Sequence, residues 1–306
     1  MLLSLSTCWN SHRFQDGREL VAEAHALGFD HIEISHGTKI SLLPGLIQAF
    51  DAGQIRVTSL HNFCPPPVEV TMDAPDAYEF TSHRDFERER ALSLSRQTIQ
   101  MAARFKAPRV VLHMGSVPMK RCTDKLEELV HKGKIYGREY TKVKLQMVEQ
   151  REKVSAFYLE RARAALHELL PLAQEHQVML CVETRSHFEQ VPNERELVLL
   201  MEEFKDCPWI GAWHDFGHVQ RKANLGLLNH VELLTSIAPK LFGCHVHDVE
   251  WPAKDHRVPL TAGGVNFDQL LPILPPDIPL VWELSPSQRR ATVLGARQAW
   301  KQRYGS

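Results

Sequence analysis

Acids and imidazoles close a succession of short apolar runs in this chain. Val178-Met179-Leu180-Cys181-Val182 ends on Glu183, Ile210-Gly211-Ala212-Trp213-His214 on Asp215, and Leu280-Val281-Trp282 on Glu283. Phe242-Gly243-Cys244 leads into His245-Val246-His247, and earlier runs carry Glu33, His61 and His113 near their ends. Side chains alternate faces along a strand, so His245 and His247 share a face, and Trp213 shares that of Asp215. A lone acid or imidazole at a strand end is ordinarily a solvated residue. Several that converge in a partly dry cavity repel one another unless they pair, protonate or bind a metal. Glu183, Asp215 and Glu283 with an imidazole make an oxygen-rich donor set, suited to one divalent ion such as Mn²⁺, Mg²⁺, Co²⁺ or Zn²⁺. Parity alone leaves open whether His245 or His247 completes it.

Such convergence needs an architecture that gathers strand ends. Candidate strands are 2–6, 31–35, 56–62, 109–115, 178–184, 210–216, 242–248 and 280–284, and helical periodicity fills the intervals, as in 18–27 before Gly28 and 194–204. Alternating β and α units predict a parallel sheet with helical crossovers. Eight is the strand count of a closed (β/α)8 barrel, whose active site lies at the carboxyl ends of its strands. An open doubly wound sheet would alternate likewise, but Thr7-Cys8-Trp9-Asn10 after the first strand offers no glycine to cradle a phosphate. The expectation is one barrel domain over residues 1–306 with a helical insertion after strand 4, at 118–155. Residues 118–153 hold ten Lys/Arg against six Asp/Glu. The insertion reads as a solvated hairpin or as a lid or subunit contact, so association of copies into a homo-oligomer is one expectation from it.

The 306 residues carry 36 Lys and Arg against 37 Asp and Glu, a net charge of −1, which predicts no nucleic-acid partner. No basic leader opens the chain and no apolar run approaches the roughly 18 residues of a membrane span. The six cysteines form no CxxC pair, which predicts reduced thiols and a cytoplasmic protein.

Three motifs carry a resemblance. Asp215-Phe216-Gly217-His218 matches a D-x-x-H pattern, His245-Val246-His247 an H-x-H pair, and Pro259-Leu260-Thr261-Ala262-Gly263-Gly264-Val265-Asn266-Phe267 a P-L-G-x-G-x-I-D-F loop, with Thr261 and Asn266 departing from it. In these the chain resembles the xylose-isomerase-like barrel superfamily, which joins sugar isomerases and epimerases, inosose dehydratases and apurinic-site endonucleases. The resemblance implies Glu183, Asp215, His247 and Glu283 as metal ligands, His247 being taken because that family places its ligand second in the pair. It implies contact with substrate oxygens at His218, an anchoring Arg257, and substrate or further zinc ions at His61 and His113. Glu33 and Trp213 are expected as cavity walls.

The expected function is isomerisation or epimerisation of a sugar, sugar phosphate or keto-polyol. Glu183 and Glu283 would move a proton next to a metal-bound carbonyl. An inosose-type dehydratase is the nearest alternative. A trinuclear-zinc endonuclease using His61, His113 and His218 comes next, and a sugar-binding barrel without activity last.

Overall fold

The computed structural model describes residues 1–70 and 74–305. Eight strands close a parallel barrel: β1 (Leu2–Ser6), β2 (His31–Ile34), β3 (Arg56–His61), β4 (Arg109–Leu112), β5 (Met179–Glu183), β6 (Ile210–Asp215), β7 (Leu241–Val246) and β8 (Pro279–Trp282). Each strand pairs with the next in sequence, and β8 closes on β1, with Leu5 opposite Trp282. Strands end up to three residues earlier than their apolar runs, so His113 and Glu283 stand just beyond the sheet rather than in it.

The strands alternate over most of their length, with register shifts where β2 meets β3 and β6 meets β7. Outward residues such as Leu3, Ile32, Leu60, Val110, Leu180, Ala212, Val246 and Leu280 join the main core beneath the helices. Inward residues Val111, Cys181, Trp213 and Val281 form a separate, fully buried cluster inside the barrel. Trp213 fills this interior because its neighbour on β7 is Gly243, where a Cβ would overlap the indole six-membered ring. Large and small residues on adjacent strands thus interdigitate into a solid floor.

The helices are α1 (Gly17–Ala26), α2 (Leu43–Asp51), α3 (Asp85–Arg104), α4 (Cys122–His131), α5 (Arg138–Glu152), α6 (Ser155–His176), α7 (Glu194–Glu203), α8 (Phe216–Asn224), α9 (His230–Ile237), α10 (Phe267–Leu270) and α11 (Arg290–Tyr304). Their ends follow local chemistry. Asp16 caps α1, and Asn193 with Glu196 forms a capping box on α7. Helices α4 and α5 fall within residues 118–155, ahead of the crossover helix α6. They share a small core of Leu126, Leu129, Tyr140 and Met147 with Leu225 after α8. The Tyr140 hydroxyl donates to the Leu225 carbonyl at 2.7 Å, and buried Arg151 grips Glu196 and the carbonyls of Phe188 and Gln190. These helices are therefore fixed to the barrel wall. No helix among the described residues is long and apolar enough to cross a membrane, and the six cysteines form no disulfide.

The 259–267 loop also has a structural role. Asp248 accepts the backbone N–H groups of Val249, Ala262, Gly263, Gly264 and Val265 at 2.8–3.0 Å. A Cβ at Gly264 would overlap the Val249 carbonyl. The loop is wrapped around an internal carboxylate, as an anion nest.

Gly243→Ala is expected to lower the unfolding free energy by about 1–3 kcal/mol through overpacking. Urea unfolding measures it, with part of the loss recovered when Trp213→Leu is added. An unchanged midpoint in the single variant would show that the floor can yield.

Candidate metal centre

Strand parity and register carry one set of inward residues up to the carboxyl end of the barrel. Glu183 is the last residue of β5 and Asp215 the last of β6, and Asp215 pairs in register with His245 of β7. Glu283 follows β8 directly. Consequently His245 Nδ1 lies 3.5 Å from Glu183 Oε1, 3.7 Å from Asp215 Oδ2 and 3.4 Å from Glu283 Oε2. That nitrogen is buried and has no hydrogen-bond partner. On the other side of the ring, His245 Nε2 faces both oxygens of Glu33 at 3.2 Å. Glu33 is itself fixed by hydroxyl donors, Ser6 at 2.9 Å and Ser59 at 2.8 Å. Burial opposes charge on His245, but Glu283, Glu33 and Glu183 outweigh it and raise its pKa well above the ordinary imidazole value.

The family resemblance placed His247 in the ligand set, whereas the register sets His245 beside the three carboxylates. His247 stands one layer higher. Its Nδ1 accepts the His256 backbone N–H at 2.8 Å, which leaves the proton on Nε2 to be donated to Asp215 at 2.9 Å. An imidazole so engaged orients a carboxylate. The D-x-x-H motif explains how it arrives. Asp215 caps α8 by accepting the His218 N–H at 2.7 Å, Gly217 leaves room where a Cβ would overlap the His247 ring, and His218 folds back over the carboxylates. His218 Nδ1 lies 3.2 Å from Glu183 Oε1 and 3.4 Å from Asp215 Oδ2.

His61 and His113 both converge on Glu183 Oε2, at 3.1 and 2.8 Å. The remaining nitrogen of His61 donates to the Asn62 carbonyl at 3.0 Å, and that of His113 faces Asp76 at 2.8 Å. Burial works against ionisation of Glu183, yet the charge of His245 and the imidazoles of His218 and His61 beside it hold its pKa well below the usual carboxylate range. Asp215 is lowered likewise, chiefly by His218 and His247 against burial.

Above these groups opens a cavity of 280 Å³ walled by His36, His61, His113, Glu183, Arg185, His218, His256 and Glu283, together with Cys8, Pro75 and residues 284–286. Three expected substrate residues lie elsewhere. Arg257 pairs with Glu250 at 2.8 Å outside the cavity. Trp213 is the floor beneath His245, with ring centroids 5.2 Å apart, and Glu33 is fully buried behind that ring. The permanent cation in the wall is Arg185, two residues past Glu183, which grips Asp76 through both terminal nitrogens at 3.2 and 2.8 Å. His256 was also missed. It adopts a left-handed backbone, φ 51°, which lays its ring over His247 with centroids 4.2 Å apart. The continued two-residue alternation past β5 could have suggested Arg185. Nothing in sequence announces the turn at His256.

The donor set fits a divalent cation: three carboxylate oxygens lie 3.4–3.7 Å from a buried imidazole nitrogen that has no hydrogen-bond partner. Further groups with donor atoms within 4.8 Å of one another include His61–His113–Glu183, His36–His61–Glu283 and His218–His247–His256.

A family model described as a xylose isomerase-like TIM barrel matches residues 21–285. No curated protein matches the sequence. Among solved structures the chain is similar to a putative xylose isomerase from Rhodospirillum rubrum at 15% identity and TM-score 0.71, covering 99% of each chain. It is similar to 3-keto-D-glucoside 4-epimerase from E. coli at 13% identity and TM-score 0.67, with 99% of each chain covered. The IolI protein with a bound zinc atom aligns at 13% identity and TM-score 0.66, over 98% of this chain and 96% of that one. At such identities the likeness is one of fold.

On the outer face of β6, His214 Nε2 meets His230 Nε2 at 2.9 Å, and His230 Nδ1 meets Gln220 at 2.9 Å. Burial, joined by the charge of His230, puts His214 well below the ordinary imidazole value of 6.5, and burial brings His230 down to about 3. The fold therefore favours neutral rings, and this stability is present above pH 6.5 and lost as pH falls toward 3. Each proton taken up costs about 1.4 kcal/mol per pH unit. Denaturant unfolding of wild type and His230→Gln between pH 7 and 5 is expected to give a steeper acid loss in the wild type. Parallel curves would show that the pair does not titrate with folding.

Proposed function

Because the chain belongs to the xylose isomerase-like TIM barrel family, we propose that it is a divalent-metal enzyme. Its reaction would be isomerisation or epimerisation of a small polyhydroxylated carbonyl compound. The observation that carries this reading is the convergence of Glu183, Asp215 and Glu283 on the unsatisfied Nδ1 of His245. In it His245 replaces His247 as the ligand, and His247 becomes the residue that orients Asp215. A cation held by these four would act as a Lewis acid toward a carbonyl and its neighbouring hydroxyl.

Glu183 and Glu283 both border the cavity and are the two groups able to take a proton from carbon and return one. They are unequal. Glu183 is held ionised by His61, His113 and His218. Glu283 meets His245 and, at 3.7 Å, His256. We assign the two together as the pair that moves the proton. His218, His256 and Arg185 supply donors to substrate oxygens, the role first expected of Arg257. Expulsion of a β-hydroxyl instead of reprotonation would make the same site a dehydratase, and product analysis separates the two.

One observation favours a second reading. The His61–His113–Glu183 and His218–His247–His256 groups flank the central set, and occupation of all three would suit hydrolysis of a phosphoester, as in apurinic-site endonucleases.

Two outcomes are expected. Glu283→Ala and His245→Ala lose bound metal, measured by plasma mass spectrometry, and lose turnover. His247→Asn keeps its metal and costs about 10- to 100-fold in activity, as expected for an orienting residue. Metal lost from the His247 variant and kept in the His245 variant would return the ligand role to His247. Secondly, the metal-replete wild type should carry one tightly held ion per chain and leave abasic-site DNA intact. Three ions together with strand cleavage would replace isomerisation by hydrolysis.

A further inference from the structure

The cavity over the carboxylates has two neighbours of different character. A polar pocket of 390 Å³ contains Asp76, Glu79 and Glu189 and shares one wall residue with the cavity, Arg185. There the bidentate Arg185–Asp76 pair, with Pro75 beside it, forms a partition. Through Cys8, His36 and Pro286, three residues common to both, the cavity instead continues into a groove of 590 Å³.

The described walls of this groove are apolar over much of their length. Pro66, Pro67, Val68 and Val70 come from the loop after β3, Ile40 from the loop after β2, and Pro286 from the loop after β8; Ser11, His12, Lys39 and Ser41 line the rest. Val68 is 79% exposed and Ile40 44%. Single exposed aliphatic residues are ordinary. Here they stand in one concavity that opens onto a chamber of imidazoles and carboxylates, which is the make-up of a ligand site: apolar walls with a few convergent polar groups. The three prolines have no N–H to leave unsatisfied and a fixed φ, so an apolar ligand can cover them with little ordering of the protein.

We propose that the groove holds the non-reacting part of the substrate, and that this part is apolar. The substrate is then an amphiphile: a polyhydroxylated carbonyl end lies over the carboxylates and is joined to an apolar body of ring size, as in a keto sugar linked glycosidically to an apolar aglycone. The chamber, at 280 Å³, takes the reacting sugar, and the larger groove takes the body. The inference rests on the proposed isomerase reading for the polar end alone.

Calorimetric titration of the metal-replete protein with methyl β-D-glucoside and phenyl β-D-glucoside tests it, alongside fluorescence of anilinonaphthalene sulfonate. The phenyl glucoside is expected to bind at least ~10-fold tighter than the methyl. Val68→Asp and Ile40→Glu should remove that preference while leaving methyl glucoside affinity and metal content unchanged. Equal affinities in the wild type, or a phenyl preference that survives both substitutions, would overturn the proposal. Should neither glucoside bind, the dye decides. Dye bound by the wild type and lost from both variants upholds an apolar groove while the sugar reading fails; dye unaffected by the substitutions rejects the groove as well.

Discussion

Burial of carboxylates around one imidazole governs the carboxyl end of this barrel. Glu33 lies against one nitrogen of His245, and Glu183, Asp215 and Glu283 lie against the other. Removing a carboxylate from water costs several kcal/mol unless charge and hydrogen bonds compensate. One imidazole cannot compensate four acids. The surrounding histidines share the compensation, with His61, His113 and His218 serving Glu183 and His247 serving Asp215. Much of the chain's wealth of histidine is thereby explained. The positions where charge must be balanced are those where a cation is best accommodated.

This constraint passes down into the barrel and outward into its loops. Trp213 supports the His245 ring from below, and it can do so only because Gly243 yields the space. Asp215 is at once a helix cap and a member of the carboxylate set. A cap fixes a side chain by the geometry of the helix it starts, so α8 holds the Asp215 carboxylate as rigidly as it holds itself. Gly217 then opens the approach for His247, and the wrapping of the 262–265 backbone around Asp248 fixes the chain just beyond His247. Packing, capping and loop closure serve one electrostatic arrangement.

Strand positions and acids were legible in sequence because both follow a two-residue period. Apolar outward residues marked the eight strands, and Glu183, Asp215 and Glu283 followed as their inward terminal partners. The same period could not separate His245 from His247, which share a face and differ by one layer. Layer depends on the register between β6 and β7, a non-local property that sets Asp215 beside His245. Arg257 was expected in the site by its place between strand and glycine loop. The ribbon of Asp248–Glu250 with Lys254–Arg257 instead turns it to Glu250 and leaves His256 facing inward, a consequence of left-handed backbone at a residue with no compositional mark. Glu33 had the right face but the wrong depth: β1 and β3 on either side contribute serines at this level, so the acid is walled in by hydroxyls and serves the ring of His245.

The inequality of the two cavity carboxylates bears on what the proposed chemistry can favour. Moving a proton between the faces of one carbon requires a base on one side and an acid on the other, with the roles exchanged in the reverse direction. A carboxylate gripped by three imidazoles is a poor proton acceptor, since protonation would break charge-assisted hydrogen bonds. Once protonated, it is for the same reason a ready donor. Glu183 is in that position, so in the proposed chemistry it starts ionised and any proton it delivers is one it has first accepted. In that reading the imidazoles that stabilise the buried charge of Glu183 also set how readily it can take part in proton transfer.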